Sequence, residues 1–184
     1  MAIWHNQQKI TGLWIGGQEV TAVYHGADKV YEEDGGYPSG TVLFEATAGT
    51  YTLTVEHNCT VRLDMCGGGS GGYYVKSINT TIPWKGCSAG YVYGNISLAK
   101  GTYSVIVGAG GAAKYTSSGG DSSFLSNIAG GGASNAGGTT TVVTSGLTGS
   151  NGTLRSTTGR IGGYGAGGAA GANGTSGYCK IVVV

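Results

Sequence analysis

The sequence predicts an all-β protein in which a small antiparallel β-sandwich continues into a bundle of packed polyglycine type II helices, preceded by a small β-hairpin module. Glycine makes up 39 of the 184 residues, about three times its ordinary share. Several short stretches alternate apolar and polar residues with the period of two expected of half-buried strands. Near the C-terminus glycine recurs at every third position, at Gly159, Gly162, Gly165, Gly168, Gly171, Gly174 and Gly177.

The N-terminal module differs in composition from the rest of the chain. The segments GLWIGGQEV and AVYHGADKVYE each contain two short apolar stretches around a turn, which predicts two β-hairpins. The acidic, glycine-rich segment EEDGGYPSG that follows is typical of a linker. We therefore predict one domain over residues 1–36 and a second, glycine-rich domain over residues 37–184.

Strands of the sandwich are predicted where apolar side chains alternate along the chain. The last residues, YCKIVVV, are apolar enough for a central strand, and residues 41–46 are a weaker candidate. The segment TSSGGDSSFLSN is expected to form one helical turn at most. The inward-facing residues of the alternating segments are Tyr51, Leu53 and Val55, then Cys59, Val61, Leu63 and Met65, and then Tyr103, Val105 and Val107.

The seven glycines at a spacing of three are predicted to be structural. A period of three fits neither an α-helix nor a strand, but it fits collagen and polyglycine II, which have three residues per turn. Collagen needs abundant proline, and this chain has only two prolines. A flexible linker is the alternative, although it has no reason to hold a register. The run would extend about 65 Å, so we predict that it folds back near residues 169–173.

Composition and spacing argue against several functions. The formal net charge is +1 and 10% of the residues are charged, so no nucleic-acid partner is expected. No apolar run reaches the length of a membrane span, so no membrane insertion is expected. The four cysteines have no metal-ligand spacing and are expected to be free, buried and apolar. No catalytic constellation surrounds the three histidines, so we expect no enzyme, no metal and no cofactor.

Four motifs in fixed order carry a resemblance to a known family. They are TVRLDMCGGGSGG, LAKGTYSVIVGAGG, GGDSSFLSNIAGGG and GANGTSGYCKIVVV. In this order they resemble the glycine-rich domain of bacteriophage tail-fibre and tail-tip proteins. The resemblance covers residues 41–184 and implies a non-enzymatic virion protein that is assembled in the cytoplasm of a bacterial host. It also implies contact with other virion proteins, here through the N-terminal module, and a possible homotrimer.

The stretch GGYYVKSINTTIPWKGCSAGYVYGN interrupts the glycine clusters with aromatic residues. Tyrosine and tryptophan combine apolar faces with a polar tip, which suits binding surfaces. The alternative is that these rings pack over the thin glycine bundle. The candidate receptor-binding residues are Tyr73, Tyr74, Trp84, Lys85, Tyr91 and Tyr93.

Two functions remain open at this point. The first is a tail-fibre or tail-tip component that recognises a bacterial surface glycan or outer-membrane protein. The second is a purely structural virion component, such as a decoration protein, head fibre or assembly cap. Exposed aromatic residues on connecting loops would favour the first function, and fully buried ones would favour the second.

Overall fold

A computed structural model describes residues 36–114 and 117–184, together with the backbone of six short strands in the N-terminal part. The chain divides into two compact units, Met1–Gly36 and Tyr37–Val184. In the first unit the strands pair as three antiparallel hairpins, β1–β2, β3–β4 and β5–β6. The last two are the hairpins predicted from the sequence. These strands are β1 (Trp4–His5), β2 (Gln8–Lys9), β3 (Trp14–Ile15), β4 (Gln18–Glu19), β5 (Ala22–His25) and β6 (Asp28–Glu32).

The second unit contains twelve further strands, and the described residues contain no helix. All the pairings between these strands are antiparallel. The prediction of an all-β chain with antiparallel sheets is therefore confirmed. The strands are β7 (Val42–Thr47), β8 (Gly49–Val55), β9 (Cys59–Cys66), β10 (Tyr73–Lys76), β11 (Thr81–Trp84), β12 (Tyr91–Leu98), β13 (Gly101–Val107), β14 (Ser122–Phe124), β15 (Asn127–Ala129), β16 (Thr140–Thr141), β17 (Leu147–Ser150) and β18 (Tyr178–Val183).

Two five-stranded sheets share one hydrophobic core. The first sheet has the order β17-β12-β9-β18-β7 and the second has the order β16-β15-β14-β13-β8. Alternate residues of both sheets are buried in a single cluster, which places the sheets face to face. Most of the inward-facing residues predicted from alternation lie in this core, whereas Tyr51, Cys59 and Tyr103 pack partly buried against it.

One local prediction was incomplete. The segment TSSGGDSSFLSN does not form a helical turn, because Ser122–Phe124 and Asn127–Ala129 pair as a β-hairpin. Its turn residues, Leu125 and Ser126, have φ angles of 49° and 60°, as a tight two-residue hairpin turn requires. The fully buried Asn127 side chain holds this turn by donating to the carbonyls of Phe124 and Leu125.

The glycine-rich segments form a layer that has the two sheets on one side and several chain turns on the other. We call this layer the glycine cluster. It consists of residues 67–72, 86–90, 108–112, 117–121, 129–133, 136–139, 151–156, 164–169 and 172–177. Its central segment, residues 67–72, is buried throughout. Within it, Gly68, Gly69 and Ser70 each donate one backbone hydrogen bond and accept another, at 2.8–3.0 Å. The six partners lie on six different segments. These partners are Gly120 and Gly132 for Gly68, Thr175 and Gly111 for Gly69, and Cys87 and Gly168 for Ser70.

Hairpins of the sandwich run into the glycine cluster without losing register. The ladder between β9 and β12 continues through the cluster, with one backbone bond every three residues, and becomes the ladder between β10 and β11. The chain between β9 and β12 therefore carries its turn to the end of the cluster that is remote from the sheets. The opposed pairs along this ladder are Cys66 with Tyr91, Gly67 with Gly90, Ser70 with Cys87, and Tyr73 with Trp84.

The C-terminal glycine run folds back where the sequence predicted. Ala172 N–H donates to the carbonyl of Ala169 at 2.9 Å, and Thr175 N–H donates to the carbonyl of Ala166 at 2.9 Å. The seven predicted glycines do not share one environment. A Cβ on Gly159, Gly168, Gly174 or Gly177 would come within 2.1–2.5 Å of backbone atoms, whereas Gly162, Gly165 and Gly171 have positive φ angles.

Replacement of Gly168 by valine is expected to destabilise the protein far more than replacement of Ala169. A Cβ on Gly168 would lie 2.1 Å from the carbonyl oxygen of Ala172, whereas Ala169 is exposed. We expect Gly168→Val to cost more than about 4 kcal/mol and Ala169→Val to stay within about 0.5 kcal/mol. Thermal melting of the two variants measures the difference. Equal melting temperatures would contradict the packing of this segment.

The four cysteines are free, as the sequence predicted. Cys66, Cys87 and Cys179 are buried, and Cys59 is half-buried. Burial raises the pKa of the Cys66 thiol to about 12, and it also raises the pKa of Cys179. These thiols are therefore protonated at neutral pH and act as small apolar groups in the core.

Candidate binding surface

A two-stranded hairpin stands at the end of the glycine cluster that is remote from the sheets. We call this hairpin, Tyr73–Lys76 and Thr81–Trp84 with its turn, the arm. It pairs with no other strand among the described residues. Four of its apolar side chains are exposed, at 56% for Tyr74, 36% for Val75, 99% for Ile78 and 46% for Ile82. An exposed apolar group of this size on a protruding element is typical of an interaction site.

The base of the arm is held by aromatic contacts. The rings of Tyr73 and Trp84 stack with centroids 5.9 Å apart and an interplanar angle of 20°. The guanidinium carbon of Arg155 lies 3.7 Å from the centre of a Trp84 ring, which is a cation–π geometry. Tyr73 is buried and Trp84 is half-buried. These two residues therefore anchor the arm, while Tyr74 presents its ring to solvent.

A groove of about 540 Å³ runs along the arm. Aromatic and aliphatic side chains form one wall, and a hydroxyl and an amide from the turn at residues 133–136 form the other. Its volume lies within the range of small-molecule and sugar sites. No sequence pattern pointed to Ser134, Asn135 or Arg155, because they reach the arm only through folding. The groove is lined by Tyr73, Tyr74, Val75, Trp84, Ser134 and Asn135.

The structure separates the predicted receptor-binding residues into two groups. Tyr73, Tyr74 and Trp84 lie on the arm, and the exposed Lys85 follows it. Tyr91 and Tyr93 lie instead on the outer face of the first sheet, in β12. They are not part of the groove, because the glycine cluster lies between β12 and the arm.

The outer face of the first sheet carries paired tyrosines and carboxylates. Tyr91 and Tyr93 stack with centroids 4.8 Å apart, and the Tyr91 hydroxyl donates to Asp64. Burial and this carboxylate raise the pKa of Tyr91. Asp64 also pairs with Arg62 at 2.8 Å. The Tyr91 hydroxyl and the Asp64 carboxylate of this face are therefore already paired.

A similar arrangement follows on the neighbouring strands of this sheet. The Tyr178 hydroxyl donates to Glu45, which also pairs with Lys180 at 3.0 Å. Hydrogen bonds from Tyr178 and Lys180 lower the pKa of the Glu45 carboxyl. The carboxylate is therefore ionised at neutral pH and already has two partners.

The Asp121 side chain joins two segments of the glycine cluster. Its carboxylate accepts a hydrogen bond of 2.8 Å from the backbone N–H of Gly131. In the part of the chain that the structure describes, no group of histidine, cysteine and carboxylate side chains could hold a metal ion. The same residues include no helix that could cross a bilayer.

Residues 45–180 match the glycine-rich domain family. This range contains every strand from β8 to β17, parts of β7 and β18, the whole glycine cluster and the arm. The chain belongs to the glycine-rich domain family. No curated protein matches the chain. Within the glycine-rich domain, the match ends at Lys180 in β18, the strand that follows the predicted structural glycines.

Proposed function

We propose that this glycine-rich domain protein is a non-enzymatic bacteriophage virion protein of the tail fibre or tail tip, and that it binds a receptor on the bacterial surface. The single observation that carries this proposal is the concentration of exposed apolar side chains on the arm. Proteins that remain alone rarely expose such a group on a protruding element. The four motifs that resemble phage tail-fibre domains supply the biological setting.

The position of the arm also supports receptor binding. Tyr37, the first residue of the second unit, accepts a hydrogen bond from Glu56 N–H through its hydroxyl. Glu56 follows β8 at the end of the sandwich that is remote from the glycine cluster. The chain therefore enters this unit at one end and displays the arm at the other. A receptor site remote from the point where the chain enters this unit would suit a protein whose location is the virion.

We further propose that the segments of the glycine cluster are polyglycine II helices. The support is the period of the backbone bonds along residues 67–72. Successive N–H groups donate in turn to three neighbouring segments, and the fourth returns to the first. Three residues per turn is the repeat of polyglycine II. Glycine allows the close approach that these bonds need, since a Cβ on Gly69 would lie 1.8 Å from the Ala166 carbonyl oxygen.

A structural virion role is the second candidate. It is favoured by the outer faces of the sheets, where Tyr91 and Glu45 already have partners. Under this alternative the arm would be covered by a neighbouring virion subunit, in a homotrimer or a larger assembly. Receptor binding is the better supported function, because the arm is exposed and has a groove along it.

Replacement of Tyr74 by alanine is expected to reduce adsorption to host cells at least tenfold, while Tyr93→Ala leaves adsorption unchanged. Both side chains are exposed tyrosines, but only Tyr74 lies on the arm. An aromatic anchor at the centre of a binding site contributes about 2 kcal/mol or more. Binding of the purified protein to intact host cells measures the effect, with melting temperatures as the control for folding. Equal adsorption of both folded variants would contradict the proposed site.

A further inference from the structure

The charges of the second unit are distributed unevenly between its two ends. The sequence has four acidic residues in this unit, Glu45, Glu56, Asp64 and Asp121. The first three lie in or directly after strands of the two sheets, and Asp121 directly precedes β14. None of them lies on the arm or on the turns beside it.

Four of the eight basic residues of this unit, by contrast, lie on the arm or near it. Lys76 lies in β10 and Lys85 directly follows β11. Arg155 lies over Trp84 at the base of the arm. Lys114 lies in the turn between Ala112 and Ser117. The backbone N–H of Gly71 donates to the carbonyl of Ser117, so this turn lies beside Gly71. All four cations are exposed, and no ion pair between any of them and a carboxylate is found among the described residues.

The exposed apolar side chains of the arm lie among these four cations. Ile78 is 99% exposed at the turn of the arm, and Val75 and Ile82 are opposed on its strands. A soluble glycan offers no apolar layer for such aliphatic side chains. Cations beside protruding aliphatic groups fit a surface in which anionic headgroups cover an apolar layer.

We propose that the arm docks on an anionic lipid surface, with Lys76, Lys85, Lys114 and Arg155 facing headgroup phosphates and Ile78 entering the boundary of the apolar layer. This contact is peripheral and crosses no bilayer. It rests on the proposed function only for the identity of the surface, which would be that of the bacterial host. Charge complementarity favours an anionic surface as the partner of these four cations. Repulsion between like charges disfavours a second copy of the same tip.

The test is co-sedimentation of the purified full chain with vesicles of phosphatidylcholine that contain about one-third phosphatidylglycerol. We expect binding that weakens with added salt and is absent with pure phosphatidylcholine vesicles. The double variant Lys76→Gln/Lys85→Gln should bind at least about tenfold more weakly, and Ile78→Ser should also lose affinity. The matched controls are Lys100→Gln and Val143→Ser, which change an exposed cation and an exposed apolar residue on the sandwich.

Several outcomes would overturn the proposal. Equal binding by all four variants would place the vesicle contact elsewhere, and binding to neutral vesicles would remove the role of the cations. Absence of vesicle binding by a chain that still adsorbs to host cells would reject the lipid surface and leave receptor binding intact, in favour of an acidic protein or glycan. Vesicle binding that depends on the arm, without adsorption to any host, would support the surface chemistry and reject the proposed function.

Discussion

Replacement of Gly69 by alanine is expected to prevent the second unit from folding. A Cβ at this position would lie 1.8 Å from the carbonyl oxygen of Ala166 and 2.2 Å from its carbonyl carbon. Both are backbone atoms, so no flexible side chain can move aside. Segments surround Gly69 on all sides, and its own N–H and carbonyl bond to Thr175 and Gly111. A shift that relieved one clash would therefore break other bonds.

The expected cost of Gly69→Ala exceeds about 5 kcal/mol, which approaches the whole stability of an ordinary domain. Chemical denaturation followed by circular dichroism measures it. Gly101→Ala is the matched control, because a Cβ there would have its nearest neighbours at 3.9 Å, in the ring of Tyr103. The control should melt within about 3 °C of the parent chain. A cooperatively folded Gly69→Ala variant of parental stability would refute the packing of the central segment.

The second large effect is expected from Asn127→Leu. The Asn127 side chain is fully buried, and its amide donates to two carbonyls of the hairpin turn and to Thr144 Oγ1 at 2.8–3.0 Å. Its carbonyl oxygen accepts hydrogen bonds from the backbone N–H groups of Val143 and Thr144 at 2.9 and 3.1 Å. Leucine has a similar size but would leave these backbone groups without their partner.

Each unsatisfied buried polar group costs about 1–3 kcal/mol, so we expect Asn127→Leu to lower the free energy of unfolding by about 3 kcal/mol or more. The melting temperature should fall by roughly 6–12 °C. Asn58→Leu provides the control, since Asn58 is exposed and accepts one hydrogen bond from Lys100 N–H. If both variants have the same urea midpoint, Asn127 does not hold the turn.

The strands were predicted correctly where apolar residues alternate without interruption. β9 and β13 were predicted in this way, and Val61, Leu63, Val105 and Val107 are buried as expected. β12 was not predicted, although Val92, Ile96 and Leu98 lie in the core. Its alternation is broken by Gly94, which has a φ of 140° and lies against the backbone of Gly146. A glycine at a core-facing position interrupts the alternation of apolar side chains, so this alternation does not reveal the strand.

The candidate site was predicted only in part, because much of it is assembled from distant segments. Tyr73, Tyr74 and Trp84 were identified from their aromatic character, but Tyr91 and Tyr93 belong to a different surface. Eighteen residues separate Tyr73 from Tyr91 in the sequence, and the ladder between them places one group at each end of the glycine cluster.

Lys85 was predicted as a candidate residue, but the grouping of four cations at the arm was not. Lys76, Lys85, Lys114 and Arg155 are spread over eighty residues, so no charge cluster appears along the chain. They come together because hairpins from different parts of the sequence all bring their turns to the same end of the glycine cluster. The overall charge of +1 conceals this, since residues 1–36 carry five acidic and two basic residues, whereas residues 37–184 carry four acidic and eight basic ones.

The position of residues 67–72 among six neighbours has a consequence for synthesis on the ribosome. The partners of this segment extend to Thr175, which is synthesised much later than the segment itself. Contacts between residues so far apart in sequence form slowly, because the entropy of closing long loops opposes them. The nascent chain must therefore carry part of this glycine backbone without its partners until Thr175 has been synthesised. The first glycines of the cluster to emerge are among the last to reach their final environment.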